Sequence, residues 1–223
     1  NGPGLREDML KVDGLNVYFG SQKVLDGVTL DLPTGVMAGL IGRNGAGKTT
    51  FMRAVMGLIA RMDGRIAFGD DDLTNLPAHR RAGLGIGYMP EDRKLVPEFT
   101  AEENVLLPAW STGMGDARDR PEWVYGLMPE VANFRERRAN QLSGGQQKLV
   151  ALARALLCGN RMLLLDEPFE GVAPARAQRL AQIIARLKDE GMPVLIADSN
   201  EQHVRELIER TFLIERGSVE VRG

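Results

Sequence analysis

Residues 42–49 read Gly42-Arg43-Asn44-Gly45-Ala46-Gly47-Lys48-Thr49, and this stretch decides the fold class of the chain. An apolar run over 36–41 precedes it, as expected for a buried strand, and apolar residues at helical spacing follow it over 49–59. A glycine-rich turn between a strand and a helix is the structural context of a phosphate-binding loop. The sequence therefore predicts an α/β nucleotide-binding fold built around this loop.

The loop residues each have an expected contact with a bound nucleotide. Gly45 and Gly47 let the backbone curl so that N–H groups face phosphate oxygens, and the helix dipole adds to that positive field. We expect Lys48 to reach the β- and γ-phosphates and the Thr49 hydroxyl to ligate Mg²⁺. The hydroxyl of Thr50 is expected to donate to the α-phosphate.

A second motif, Leu163-Leu164-Leu165-Asp166-Glu167, ends an apolar strand predicted over 162–165. Ligands bind at the carboxyl ends of the strands in parallel α/β sheets. Asp166 is therefore placed to hold Mg²⁺, directly or through water, and Glu167 to polarise the attacking water. By itself such a run also fits a strand that leaves the core for a polar turn. Together with the loop at 42–49 it predicts a pair of carboxylates at a nucleotide site.

A third motif, Leu142-Ser143-Gly144-Gly145-Gln146, precedes a helical pattern of apolar residues. Ser143 is a good N-cap, and the glycines leave the N–H groups of the first turn uncovered, so this helix end can bind an anion. One chain already has a γ-phosphate site, and a second anion site therefore suggests a second chain. An ordinary capped helix explains the segment equally well.

The three motifs, in this order, resemble those of the nucleotide-binding subunit of an ABC transporter, over about residues 10–217. The stretch 42–50 is similar to the family's Walker A loop, 142–146 to its signature sequence, and 162–167 to its Walker B strand with the catalytic glutamate. The resemblance implies an α/β P-loop NTPase fold with a mixed core sheet, an N-terminal antiparallel β subdomain and a small helical subdomain. It implies binding of ATP and Mg²⁺ by two subunits packed head to tail.

The resemblance also implies a set of nucleotide contacts. Those of the loop are Gly42, Arg43, Asn44, Gly45, Ala46, Gly47, Lys48, Thr49 and Thr50. Those of the signature are Ser143, Gly144, Gly145 and Gln146, with Ser143 and Gly145 touching the γ-phosphate of the other subunit's ATP. An aromatic residue before a glycine is expected to stack on adenine. Phe19, before Gly20, fits that position, with Tyr18 as the alternative; the other interpretation is that Phe19 fills a core.

The chain departs from the family pattern at two positions. After Tyr88-Met89-Pro90 the family has a glutamine, and this chain has Glu91; after the strand at 194–197 the family has a histidine, and this chain has Ser199. Glutamate ligates Mg²⁺ more strongly than an amide, but it adds negative charge near the nucleotide. Serine can still donate one hydrogen bond to the γ-phosphate. His203 could share a helix face with Ser199, although a surface histidine is the simpler interpretation.

These residues predict ATP hydrolysis as well as ATP binding. We assign catalytic roles to Lys48, Glu91, Glu167 and Ser199. We assign the metal to Thr49, Glu91 and Asp166. The two departures keep a second hypothesis open, in which the chain is a regulatory ATP sensor with little turnover.

Two segments bear on the kind of transporter. Residues 168–174, ending Val172-Ala173-Pro174, and the segment 99–105 are similar to ATPases of branched-chain amino acid and urea uptake systems. The run 90–93 is closer to sugar-importer ATPases. The resemblance implies integral membrane permease subunits, a second ATP-binding subunit and a solute-binding protein as partners, and a place at the cytoplasmic face of the membrane.

Composition agrees with this interpretation. The chain has 223 residues, 43% of them hydrophobic, which suffices for one core and a small lobe. No stretch reaches the roughly 18 apolar residues of a transmembrane helix. The net charge of −2, with mixed signs, predicts no nucleic-acid partner, and no coiled-coil or zinc insertion supports a soluble ABC ATPase acting on DNA or ribosomes. The single Cys158 excludes an internal disulfide.

The predicted organisation is one ABC ATPase domain over 8–223. Residues 8–94 and 141–223 are expected to form the core with its antiparallel β subdomain, and 95–140 the helical subdomain that docks on the membrane subunits. Residues 1–7 resemble a tag or a disordered start. Beyond the motifs we expect helices at 175–190 and 201–208 and strands at 65–68, 86–88, 193–197 and 211–215.

Overall fold

An antiparallel sheet and a larger, mostly parallel sheet form the body of the computed structural model, which describes residues 8–112 and 119–222. The strands are β1 (Asp8–Phe19), β2 (Gln22–Pro33), β3 (Met37–Ile41), β4 (Met62–Phe68), β5 (Asp71–Asp72), β6 (Ile86–Met89), β7 (Met162–Asp166), β8 (Val194–Asp198), β9 (Arg210–Glu215) and β10 (Ser218–Arg222). The antiparallel sheet has the order β2-β1-β4-β5 and the larger sheet the order β10-β9-β3-β8-β7-β6.

Seven α-helices accompany the strands in the described residues. They are α1 (Lys48–Val55), α2 (Ala78–Gly83), α3 (Ala101–Thr112), α4 (Arg120–Leu127), α5 (Pro129–Ala132), α6 (Gly144–Cys158) and α7 (Pro174–Asp189). Two short 3₁₀ helices cover Ala139–Gln141 and Glu201–His203.

The centre of the larger sheet brings the motifs together. Strands β3, β7 and β8 are buried along their whole length, as expected for apolar runs covered on both faces. They run parallel, with Ile41 opposite Asp198 and Asp166 opposite Ala197. The carboxyl ends of all three strands therefore lie at one edge of the sheet, and the residues that follow them form a single site there.

The antiparallel sheet shares a core with the larger one. Strand β2 alternates buried and exposed residues, and the buried residues of β1 and β2 join the apolar residues of α1 and β9 in one cluster. The turn between β9 and β10 contacts the loop at 42–47, because Gly217 N donates to Ala46 O at 3.0 Å. The same glycine accepts from Asp26 N of β2 at 2.9 Å, so this sheet also supports the site.

Helix α6 is the main packing partner of α3 and α4, two helices of the helical segment at 95–140. Its apolar face is buried against α3 and α4, and the side chain of Arg120 donates to Leu156 O and Gly159 O near its carboxyl end. At its start Ser143 and Gln146 form a reciprocal capping box, in which each side chain accepts from the other residue's backbone N–H. The signature segment is thus the capped first turn of a buried helix.

The predicted fold class is confirmed, with two corrections. The helix expected at 201–208 is wrong: only Glu201–His203 is helical, as one 3₁₀ turn, and the chain then bends so that Glu209 N donates to Met37 O at 2.8 Å. Helix α2 and strand β10 were not expected. Residues 113–118 of the predicted helical subdomain, and the start at 1–7, lie outside the described residues. The division into 8–94 with 141–223, and 95–140, stays a prediction.

Candidate active site

The glycine-rich loop at 42–47 joins β3 to α1 and is tightly enclosed. Gly47 has a φ of 115°, and a Cβ there would lie 2.7 Å from the Leu25 side chain. A Cβ on Gly42 would lie 2.3 Å from Ile214 O. Side chains are therefore excluded at both ends of the loop, while Arg43, Asn44 and Gly45 at its tip are exposed.

The loop lysine already faces the catalytic position. Lys48 Nζ donates to Gly42 O at 2.7 Å and to Arg43 O at 3.2 Å, and it lies 3.1 Å from Glu167 Oε1. Lys48 and Glu167 are both buried, at 5% and 4% exposed. Two carbonyl oxygens hold this buried ammonium group inside the loop. When a nucleotide binds, phosphate oxygens can replace them as its hydrogen-bond acceptors.

Asp166 and Thr49 form the proposed metal position. Thr49 Oγ1 donates to Asp166 Oδ1 at 3.2 Å, and the Tyr88 hydroxyl lies 3.4 Å from Asp166 Oδ2. Burial raises the pKa of Asp166 to about 6; the hydrogen bond from Thr49 opposes this, and the charges of Glu91 and Glu167 add to it. Burial and the charge of Asp166 likewise raise the pKa of Tyr88.

This donor set fits Mg²⁺. Among the described residues no group of three His, Cys, Asp or Glu side chains could hold a metal ion. Mg²⁺ binds through one or two protein oxygens plus waters and substrate phosphates, and the adjoining oxygens of Thr49 and Asp166 match that requirement. The ion supplies neutralisation of phosphate charge when it is bound.

Glu167, the predicted base, is held by main-chain and side-chain contacts. Its φ is +48°, and its N–H donates to Ala197 O at 2.9 Å. Its Oε2 accepts from Ser199 N at 3.2 Å and from Ser199 Oγ at 3.5 Å. The structure therefore brings together Lys48, Glu167 and Ser199, although they come from three separate parts of the sequence.

Glu91 lies at the edge of this group. Burial raises its pKa, and so do the charge and hydrogen bond of Glu170 and the charge of Glu167, while Lys148 opposes the shift. Its charge in turn raises the pKa of Asp166, and Glu91 lines the same cavity as Thr49. Its role as a ligand stays a prediction.

Sequence reasoning missed two residues near the site. Lys148 is 5% exposed, and its Nζ donates to the backbone oxygen of Glu167. Asp198 is 1% exposed and contacts His203 Nδ1 at 3.2 Å through Oδ1. A cation within the apolar pattern of α6 was the available signal for Lys148. His203 shares no α-helix with Ser199; it is half-exposed and its ring meets Phe169 edge-on.

The signature residues lie apart from the loop of their own chain. Ser143 and Gly144 are exposed, and Gly145 and Gln146 are half-buried. Within the described residues no hydrogen bond or ion pair joins 143–146 to the loop at 42–49. The start of α6 is therefore exposed and separate from the loop of its own chain, and its role as a second anion position stays a prediction.

The two aromatic residues at the end of β1, Tyr18 and Phe19, differ in how far their rings are exposed. Phe19 is 51% exposed, so the interpretation that it fills a core is wrong. The Tyr18 ring is already covered, since the Arg61 guanidinium lies 5.0 Å and Lys23 Nζ 5.9 Å from its centroid. Phe19 is thus the better placed ring for stacking, and its adenine contact stays a prediction.

Comparison with known proteins decides what this arrangement is. A family model described as "ABC transporter" matches residues 25–170, more than half of the chain. The chain belongs to the ABC transporter family. As such an ABC ATPase it is the ATP-binding and ATP-hydrolysing subunit of a transporter, and it works with ATP and Mg²⁺. The family prediction is confirmed.

Two curated relatives cover nearly all of this ABC ATPase. The lipopolysaccharide export system ATP-binding protein LptB of Escherichia coli strain K12 is 34% identical over 216 residues, or 96% of this chain and 90% of the relative. The high-affinity branched-chain amino acid transport ATP-binding protein BraG of Pseudomonas aeruginosa is 32% identical over 211 residues, or 95% of this chain and 91% of that protein. The predicted branched-chain subfamily is thus represented, but LptB is equally similar.

Solved structures agree with the fold of this ABC ATPase. A nucleotide-free ATP-binding cassette from an ABC transporter matches with a TM-score of 0.83 at 27% identity, covering 96% of this chain and 90% of the other. A dimeric cassette in a post-hydrolysis state, bound to ADP and Pi, matches with a TM-score of 0.83 at 25% identity, covering 95% and 97%. Across the described residues, every helix falls short of the length and apolarity that crossing a membrane requires.

Proposed function

We propose that this subunit dimerises around two Mg-ATP and drives solute movement through separate permease subunits at the cytoplasmic face of the membrane. The observation that carries the proposal is the exposed, capped start of α6. The capping box uses the N–H groups of Ser143 and Gln146, so this first turn offers those of Gly144 and Gly145 to a phosphate, apart from the loop of their own chain. A second copy placed head to tail would bring Ser143 and Gly145 to the γ-phosphate held by Lys48.

The side chains of the site have distinct proposed roles. Lys48 releases Glu167 when phosphate arrives and stabilises the charge of the transferring group. Glu167 orients and deprotonates the attacking water, and Ser199, which already contacts its carboxylate, keeps that carboxylate aimed. Thr49 and Asp166 hold Mg²⁺, with Glu91 as a third oxygen donor.

A cavity of about 790 Å³ is the proposed docking place for a permease. It lies between the core and the helical segment, and its wall is mainly apolar, with Leu58, Ile86 and Leu107 among its lining residues. Thr49 and Glu91 also line it, so an element seated there would touch the metal position directly. Transport and hydrolysis would then be coupled over a short distance.

The proposed solute is an amino acid or a related small polar molecule, taken up with the help of a solute-binding protein. Support comes from the similarity to BraG and from the segments at 99–105 and 168–174. The similarity to LptB supports lipid export instead. A lipid exporter of that kind would work without a solute-binding protein. Pull-down of the tagged subunit from detergent extracts, with sequencing of the co-purified permease, separates the two.

One substitution tests the role of general base that is proposed for Glu167. We expect Glu167→Gln to lower kcat by about 100-fold or more, because the general base is lost, while ATP still binds. ATPase rates and equilibrium binding of a fluorescent ATP analogue measure the two effects. Equal rates for wild type and Glu167→Gln would exclude Glu167 as the base.

Glu91 and Ser199 are the observations that favour a second function, a regulatory ATP sensor with slow turnover. Single-turnover kinetics with Mg²⁺ distinguish it from a transport ATPase. A sensor would bind ATP tightly and keep it unhydrolysed over many minutes, whereas the transport ATPase would convert it within seconds to a minute.

A further inference from the structure

Lys148 is a buried cation that the roles proposed above do not use. It is the fifth residue of α6, among apolar neighbours, and is 5% exposed. Its Nζ donates to the backbone oxygen of Glu167. Burying an ammonium group is costly unless nearby charges and hydrogen bonds compensate, so its surroundings indicate its function.

The backbone that Lys148 contacts is the one that carries the predicted base. Glu167 has a φ of +48°, a conformation that non-glycine residues rarely adopt. Its oxygen also accepts from Glu170 N at 3.3 Å, and its N–H donates to Ala197 O. Lys148 thus helps to hold an unfavourable conformation at the residue whose carboxylate must be aimed.

The charges of three carboxylates act on the Lys148 ammonium group. Burial lowers the pKa of Lys148, and the charge of Arg93 adds to this, while Glu170, Glu167 and Glu91 act in the opposite sense. Glu170 also raises the pKa of Glu91, through its charge and a hydrogen bond between the two side chains. Lys148 is therefore a cation set among acidic groups that repel one another.

Glu91 is fastened next to α6 by its neighbours in the chain. Arg93 Nη1 donates to Gln147 Oε1 at 3.1 Å and to Gly144 O at 3.4 Å. Arg154, further along the same helix, donates to the backbone oxygens of Arg93 and Lys94. The turn after β6 therefore cannot swing Glu91 away from Lys148 without breaking contacts to α6.

We propose that Lys148 is a positioning residue for ATP hydrolysis: its charge offsets the Glu91 carboxylate, so that Glu167 stays aimed when the anionic nucleotide binds. The inference rests on the hydrolytic role proposed for Glu167. Lys48, which pairs with Glu167 in the structure, is required at the phosphates during turnover. Lys148 then stays beside Glu167 as a protein cation, in addition to the Mg²⁺ that Thr49, Asp166 and Glu91 would share with the phosphates. A neutral residue at position 91 would reduce the need for this charge.

A double-mutant cycle tests the proposal. Glutamine at 148 carries no charge, and because its side chain is shorter it also weakens the contact to Glu167 O. The cycle subtracts that second loss, since it occurs in both backgrounds. We expect Lys148→Gln to lower kcat about tenfold with little change in KM, and the same substitution to lower kcat about twofold when Glu91 is also changed to Gln. Lys148→Arg, which keeps the charge, should retain most of the wild-type kcat. Lys188→Gln is the matched control, because Lys188 lies on α7 and pairs with Glu209 rather than with a residue of the site.

The outcomes separate the possible explanations. Equal losses from Lys148→Gln in the wild-type and Glu91→Gln backgrounds, or no loss in either, would overturn the proposal, since packing or the hydrogen bond would then explain Lys148. If Lys148→Gln does not fold, rescue of folding by Glu91→Gln supports charge compensation and absence of rescue contradicts it. A wild-type protein without ATPase activity would instead refute the function on which the inference rests.

Discussion

At the scale of single residues, the site is a chain of contacts that ends at the predicted base. Lys48 contacts one carboxylate oxygen of Glu167, and Ser199 contacts the other. Lys148 holds the backbone of the same residue. The carboxylate is therefore held from two sides and its backbone by a third contact, which is the arrangement expected of a group that must orient a water molecule.

Ser199 should contribute to turnover more than to binding. We expect Ser199→Ala to lower kcat about tenfold, because the hydroxyl contact to the Glu167 carboxylate is lost, and to leave the ATP dissociation constant within about threefold. Steady-state ATPase assays and nucleotide binding at equilibrium give both values. A kcat for Ser199→Ala equal to that of wild type would show that Ser199 does not position Glu167.

Asp166 should make the nucleotide-free protein less stable as pH rises. Its pKa is raised to about 6 by burial, so its contribution to stability is complete below the ordinary value near 4 and is lost as pH rises through 6. Asp166→Asn removes this loss. Between pH 4.5 and pH 7.5 we expect the free energy of unfolding of Asp166→Asn to gain roughly 2 kcal/mol relative to that of wild type.

Thermal unfolding of both proteins across that pH range measures the effect. Mg²⁺ with ATP should reverse the order, stabilising wild type and not Asp166→Asn. An Asp166→Asn protein whose stability follows the same pH dependence as wild type would contradict the assignment of this penalty to Asp166.

At the scale of elements, the site exists because three parallel strands end at one edge. Strands β3, β7 and β8 are short apolar runs, and that pattern made both their positions and the carboxyl-end location of Asp166 and Glu167 predictable from sequence. The resemblance of the motifs added the antiparallel sheet and the helical segment. Most of the fold could therefore be predicted from the residues and their motifs.

Other features depend on tertiary contacts that the spacing of apolar residues cannot predict. The segment after Ser199 has helical spacing, but the hydrogen bond from Glu209 to Met37 requires the chain to return to β9 after one turn. Lys148 lies within the apolar pattern of α6, but its contact with the backbone of Glu167 follows from tertiary packing. Whether Glu91 ligates a metal depends on where its side chain lies, and motif spacing does not predict that position.

Helix α1, which begins with Lys48, depends on a buried arginine at its other end. Arg81 is 1% exposed, and its Nη1 donates to Ala54 O at 2.9 Å and to Val55 O at 2.7 Å. Its Nε donates to Leu76 O at 2.7 Å. We expect Arg81→Ala to destabilise the protein by about 3 kcal/mol, because buried carbonyl oxygens lose their donor and a cavity forms.

Urea unfolding measures this change, and Arg80→Ala is its control. Arg80 is exposed on α2, the helix that also contains Arg81, so Arg80→Ala should lower the free energy of unfolding by no more than about 0.5 kcal/mol. Equal stabilities for the two variants would show that the Arg81 contacts do not support α1.

At the scale of the whole molecule, the proposed nucleotide site consists of two half-sites that lie apart in one chain. The loop at 42–49 with Asp166 and Glu167 forms one half, and the exposed start of α6 forms the other. In the proposed assembly each half is completed by a second subunit, and the cavity beside Glu91 offers a place for a permease. Nucleotide binding, assembly and solute movement would thereby be linked through the same few residues.

The central claim is that ATP is held between the loop of one subunit and the start of α6 of another. Light scattering of Glu167→Gln at saturating Mg-ATP tests it most directly, because this variant should retain its nucleotide. We predict a dimer with ATP, a monomer without it, and a monomer with ATP when Ser143→Arg is added to block the helix end. A Glu167→Gln protein that binds ATP and remains monomeric at every concentration would contradict the claim.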